Sequence, residues 1–185
     1  MDKFEKTKNA IAEVISHSKI EEDSVHSVNA WQWLLKLKPD ADEILQLAIL
    51  GHDLERAMPD RLTKDKFSSY EEYKLAHATR GGEIAAKIAL ENGYSQVDCN
   101  RLANIIKFAE FENTDPDISL VCDADSISYF DYNVDFYLQR LGVEKTKQKI
   151  KFMYQRASSR VKKEVDKILL TKPNIKALWE EAFTE

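Results

Sequence analysis

The segment that constrains the fold most is Ile44-Leu45-Gln46-Leu47-Ala48-Ile49-Leu50. Its apolar residues fall on almost every side of a helical turn, so no single amphipathic stripe accounts for them, and a helix apolar all round belongs at the centre of a fold. Directly after it come His52 and Asp53, an adjacent imidazole and carboxylate. Burying such a pair costs free energy unless both groups are compensated. A divalent metal compensates both, because neutral imidazole and carboxylate are common ligands of first-row metals. A hydrogen bond from the histidine to its neighbour or to a backbone carbonyl does so as well, and for an isolated His-Asp pair that is the commoner arrangement. Helical neighbours diverge by about 100°, so both side chains reach one ion only if it lies between their directions.

The rest of the chain predicts an all-α fold. Only 5 Gly and 4 Pro interrupt 185 residues, no stretch alternates in the manner of a strand, and helical spacing recurs throughout. The length suits one domain. The reading is a single domain over 1–185, with a motif-bearing core at about 22–130 and a helical extension at about 131–185. Helices are expected over 2–17, from a cap at Asp23 or Ser24 to Lys38, and from Asp40 or Asp42 to Arg56. Others run from the Ser69-x-x-Glu72 capping box to Asn92, with a possible break at Gly81-Gly82, and from Ser95 to Phe111. Further helices are expected over 117–130, 133–140 and 143–170, and after Pro173. Residues 57–67 form the longest irregular stretch and are expected to overhang His52 and Asp53.

Composition excludes several classes. The net charge of −5 argues against bulk nucleic-acid binding, and no apolar run approaches the roughly 20 residues that span a bilayer. Neither Cys99 nor Cys122 lies in a Cys-x-x-Cys, and the N-terminus precedes no apolar signal segment, so a cytoplasmic setting is expected.

Ligand-type residues stand out at three buried-looking places: His26 on the second helix, His52-Asp53 after the third, and Asp125 in the segment Val121-Cys122-Asp123-Ala124-Asp125. Acidic residues are rarely buried unless paired or metal-bound. Two imidazoles and two carboxylates suit one divalent transition ion such as Mn, Fe, Co, Ni or Zn rather than Ca²⁺.

The order His26-Ser27-Val28, Leu50-Gly51-His52-Asp53 and Ala124-Asp125-Ser126-Ile127 on a helical chain resembles the HD superfamily of metal-dependent phosphohydrolases. The resemblance covers about residues 22–130. It implies a metal held by His26, His52, Asp53 and Asp125, with Asp123 in a supporting position, and hydrolysis of a nucleotide or other small phosphate ester by an activated water. Asp53 is then also the candidate base, and Arg56 and Arg80 the candidate cations for phosphate. A non-catalytic nucleotide sensor on the same fold is the alternative; a di-iron oxygenase needs more histidines than the sequence places.

Branches of the superfamily that bind two metals use further histidines. His77 matches the first of them. After Ile105-Ile106, where the second is expected, the chain reads Lys107-Phe108-Ala109-Glu110, which implies one metal and leaves Glu110 as the only replacement carboxylate. Leu54-Glu55-Arg56-Ala57 is out of register with the guanosine-tetraphosphate hydrolase branch. His17 reads as a surface residue. The basic run Lys145, Lys147, Lys149, Lys151, Arg156, Arg160, Lys162 and Lys163 reads as a solvated helix face rather than an anion site.

Overall fold

The computed structural model describes residues 1–111 and 113–184. The described residues form helices and turns, with no strand among them. In order they are α1 (Lys3–Ser16), α2 (Asp23–Leu37), α3 (Glu43–Gly51), α4 (Tyr70–Glu91), α5 (Gln96–Phe108), α6 (Pro116–Ser128), α7 (Val134–Leu141), α8 (Val143–Arg156), α9 (Ser159–Thr171) and α10 (Pro173–Thr184). Two 3-10 turns, Leu54–Ala57 and Lys64–Lys66, lie between α3 and α4, and a π-helical turn, Tyr129–Asn133, joins α6 to α7.

α3 is central, as its sequence requires: every residue from Ile44 to Gly51 except Gln46 is buried. It packs within a core supplied by α1 to α6. A second apolar cluster begins at Ile127 and draws on the π turn and α8, α9 and α10; Trp33 and Leu37 of α2 pack against both clusters.

Four boundaries depart from expectation. α3 stops at Gly51, and Asp53 takes φ −107°, ψ 13°, so His52 and Asp53 sit in a turn rather than on a helix. The 100° divergence of helical neighbours therefore does not limit them. α4 runs unbroken through Gly81-Gly82 because α5 crosses there: a Cβ on Gly82 would lie 2.7 Å from the carbonyl oxygen of Ala103. The expected helix over 143–170 is two helices. Buried Asp123 accepts hydrogen bonds from the Ser158 amide at 2.8 Å and its hydroxyl at 2.6 Å, ending α8 at Arg156. Finally, Asp23 does not cap α2. Its buried carboxylate accepts from the Ser18 hydroxyl at 2.6 Å and from Arg56 at 3.3 Å.

α6, the π turn and α7 form one uninterrupted helical rod. Asp131, midway along the π turn, accepts from Trp33 Nε1 at 2.8 Å and Asn29 Nδ2 at 3.0 Å, pinning the rod to α2. No helix among the described residues is long and apolar enough to cross a membrane.

Candidate metal centre

Three histidines converge from α2, the turn after α3, and α4. In each, Nδ1 is committed to an acceptor. His52 Nδ1–H donates to the Ile49 carbonyl at 2.7 Å, and His77 Nδ1–H donates to Glu55 Oε2 at 2.8 Å. His26 Nδ1–H donates to Ser128 Oγ at 2.8 Å, and that hydroxyl donates onward to the His26 carbonyl at 3.4 Å. With the proton on Nδ1, each neutral ring turns the lone pair of Nε2 inward. Such an orienting bond on the far nitrogen is characteristic of ligating histidines.

These Nε2 atoms face carboxylate oxygens. His26 Nε2 is 3.0 Å and His52 Nε2 3.5 Å from Asp125 Oδ1. His52 Nε2 is also 3.3 Å from Asp53 Oδ2, and His77 Nε2 is 3.5 Å from Asp53 Oδ1. His52 Nε2, His77 Nε2 and Asp53 Oδ1 are buried without a hydrogen-bond partner. Buried lone pair facing lone pair is unfavourable unless a proton or a cation lies between them. The protein alone supplies protons: burial works to lower the His52 pKa, but Asp53 and Asp125 outweigh it and raise it well above the imidazole range. His77 is likewise raised, burial being overcome by Asp53 and Glu55. A divalent cation removes the need for those protons, so the donor set fits a metal.

The ligand atoms form two groups, each within 4.8 Å: His26, His52 and Asp125, and Asp53, His77 and Glu110. Three of the four expected ligand residues share the first group; Asp53 falls in the second, with its Oδ2 3.3 Å from His52 Nε2. The one-metal expectation is qualified by geometry: α5 ends at Phe108, and the turn after it delivers Glu110 to Asp53 and His77.

Fixed cations hold these carboxylates. Arg56 lies 2.7 Å from Asp53 Oδ2, and Arg156 pairs with Asp125 Oδ2 and, at 3.2 Å, with Glu110. Lys74 is 2.9 Å from Glu110. Burial acts to raise the carboxyl pKa values. Against it, Arg56 and His52 hold Asp53, and Arg156 and His52 hold Asp125, well below the usual range. Arg156 and Lys74 bring Glu110 to about 2.

A cavity of about 270 Å³ opens at the centre, with His26, Asp125, Glu110 and Arg56 in its lining. Tyr129, Asn133, Tyr137, Arg140 and Lys149 line it too. A second space of about 460 Å³ shares Tyr70, Tyr137 and Lys149 with it and adds Lys64, Lys145 and Phe152. Lys149 makes no hydrogen bond or ion pair among the described residues. Burial lowers its ammonium pKa to about 8, against the pull of Glu110.

Of the two arginines expected to meet phosphate, Arg56 lines the cavity. Arg80 is spent elsewhere: its guanidinium binds Asp60 at 2.5 Å and Glu55 at 3.3 Å, so it braces the carboxylate that orients His77. Asp123 supports Asp125 only indirectly, by ending α8 just after Arg156. The basic run divides in two. Lys163 is exposed, but Lys149 lines the cavity and Arg156 is buried against the ligands. Glu55, Asp23, Ser128, Lys149 and Arg156 were not anticipated. Only Ser128 carried a readable signal, lying one helical turn after Asp125 and so on the same face.

Fold and site define an all-helical protein with a buried His, Asp and Glu centre able to hold a metal ion. The chain belongs to the family described as Domain of unknown function (DUF4202), whose model matches residues 2–178. No curated protein and no solved structure matches it.

Proposed function

We propose that this chain is a metal-dependent phosphohydrolase of the HD superfamily type, acting on a small phosphomonoester. The observation that carries the proposal is the inward turn of three Nε2 atoms onto Asp53 and Asp125, with His52 Nε2, His77 Nε2 and Asp53 Oδ1 lacking a hydrogen-bond partner among the described residues. His26, His52, Asp53 and Asp125 would hold one divalent transition ion tightly. Asp53, His77 and Glu110 form a weaker position, because Glu110 is already neutralised by Lys74 and Arg156.

The chemistry an ion supplies at such a centre is Lewis-acid activation of water and neutralisation of phosphate charge. The chain's own groups do the rest. Arg56 fixes Asp53 through Oδ2 and leaves Oδ1 free to take the proton of the attacking water. Water adds to phosphorus, the bond to the leaving alcohol breaks, and that alkoxide regains a proton from solvent. Among the described residues Lys149 is ion-paired to no carboxylate, and it meets the phosphate with its charge.

A second reading, a non-catalytic ligand sensor, is favoured by one observation: Asp53, Asp125 and Glu110 each already have a protein cation. Elemental analysis of purified protein, followed by a screen of metal-loaded protein against phosphomonoesters and nucleotides, separates the two. One tightly held ion per chain with turnover supports the hydrolase; tight ligand binding without turnover supports the sensor.

A further inference from the structure

The cavity wall furnished by the π-helical turn is unsatisfied. Tyr129 and Asn133 are 2% and 8% exposed, both line the cavity, and Tyr129 Oη and Asn133 Oδ1 are buried with no hydrogen-bond partner. The Asn133 side chain makes no hydrogen bond to any described residue. Leaving such groups unpaired costs free energy that a native fold normally avoids. The turn is not loosely held. Asp131 between them is tied to Trp33 and Asn29, and the Lys172 ammonium donates to its carbonyl at 2.9 Å. Single π turns inside helical rods frequently mark functional sites. Tyr129 and Asn133, four residues apart on the rod, both bring polar side chains to the cavity lining. One is a hydroxyl that donates or accepts, the other an amide that does both.

Resting on the phosphohydrolase reading, we infer that this wall selects a hydroxylated leaving group. The substrate is the phosphomonoester of a small polyol or sugar, with adjacent hydroxyls hydrogen-bonded to Tyr129 and Asn133. The chamber of about 270 Å³ falls just below the roughly 300–1,000 Å³ of pockets for larger ligands, which suits a molecule of this size. Part of the remaining wall agrees, although Ile20, Leu141 and Met153 also line it. Glu22 and Arg140 form an ion pair at 2.5 Å in the lining, where an apolar or lipid leaving group would meet charge.

The test is calorimetric binding of ribose 5-phosphate, 2-deoxyribose 5-phosphate and butyl phosphate to the metal-loaded protein, alongside hydrolysis of each. Wild type should bind the ribose ester at least about tenfold more tightly than the deoxy ester, the cost of one buried polar group left unpaired. It should bind butyl phosphate more weakly still. Tyr129→Phe and Asn133→Ala should each reduce that preference toward unity, with affinity for butyl phosphate unchanged. Tyr129→Phe should not lower thermal stability, because the deleted oxygen has no hydrogen-bond partner among the described residues. Equal affinity for the three esters overturns the inference, and the hydrolase reading stands if they are hydrolysed. A ribose preference without hydrolysis retains the selective wall and removes the hydrolase reading. A nucleoside monophosphate binding more tightly than ribose 5-phosphate, with Tyr129→Phe indifferent, would overturn the small-polyol assignment.

Discussion

The centre is built from two unlike regions. The helices up to α6 and the turns between them supply ligand-type groups: His26, His52, Asp53, His77, Glu110 and Asp125. The π turn and the helices after it supply what surrounds them: Tyr129, Asn133, Arg140, Lys149 and Arg156. In the first region function coincides with rarity, because a buried histidine or aspartate is an unusual use of that residue. In the second, function is carried by lysines, arginines and tyrosines on amphipathic helices, whose neighbours of the same type are solvated. Under the proposed hydrolase reading the difference separates two jobs: the first region would hold the ion and the base, and the second would set affinity and selectivity.

Variants that erase that distinction test it most severely. Asp53→Asn keeps shape and one oxygen but loses charge and basicity. At saturating metal it should lower turnover by at least about a hundredfold, the lower end of what a positioned base contributes. His52→Ala should lower metal content measured by elemental analysis. Near-normal turnover in Asp53→Asn at confirmed metal occupancy would remove the base role. Equal metal content in His52→Ala and wild type would remove the ligand assignment.

Lys149→Met tests the second region. It should leave metal content unchanged and raise KM by about tenfold or more, one charge-assisted contact being worth roughly 1.5–3 kcal/mol. The pH profile sharpens this. With its pKa lowered to about 8, Lys149 is charged below that pH and neutral above it. Phosphate affinity in wild type should therefore fall as pH rises through about 8, and Lys149→Met should lose that limb. An unchanged KM would place the substrate elsewhere.

The sequence carried the first region well and the second poorly, for the same physical reason. The all-round apolarity of α3 was legible from residue type and spacing, and His26, His52, Asp53 and Asp125 were singled out by residue type together with the HD resemblance. What spacing could not convey was backbone departure from the helix. The turn at His52-Asp53, the π turn at Tyr129–Asn133 and the break at Ala157-Ser158 each re-aim side chains that helical periodicity had assigned. The break depends on Asp123 reaching Ser158, a long-range contact with no local signature. Glu110 was noticed only as a possible substitute, since its position depends on where α5 ends. Lys149 and Arg156 were hidden among lysines and arginines that look alike in sequence.

Asp123 links the two regions and gives a smaller effect on activity. Asp123→Ala removes both bonds to Ser158 and leaves a part-buried amide unpaired, which should cost about 1–3 kcal/mol of stability in denaturant titrations. Because the break it fixes directly follows Arg156, metal affinity should fall modestly alongside. A stability loss with metal affinity fully intact would show that Arg156 does not need the corner to find Asp125.

The smallest effect belongs to the part of the basic run that faces solvent. Lys163 lies on the exposed side of α9, two residues past buried Val161, and α9 contributes nothing to the lining of the cavity. At physiological salt, exposed charges interact little beyond about 8 Å. Lys163→Glu should therefore leave KM and turnover within error of wild type, although it changes net charge by two where Lys149→Met changes it by one. Such a result would show that position and burial, not summed charge, decide which lysines of the run matter. If Lys163→Glu instead raised KM as Lys149→Met does, and the loss vanished at high salt, the run would be acting as a diffuse field that steers anions inward. The division between buried and solvated lysines would then fail.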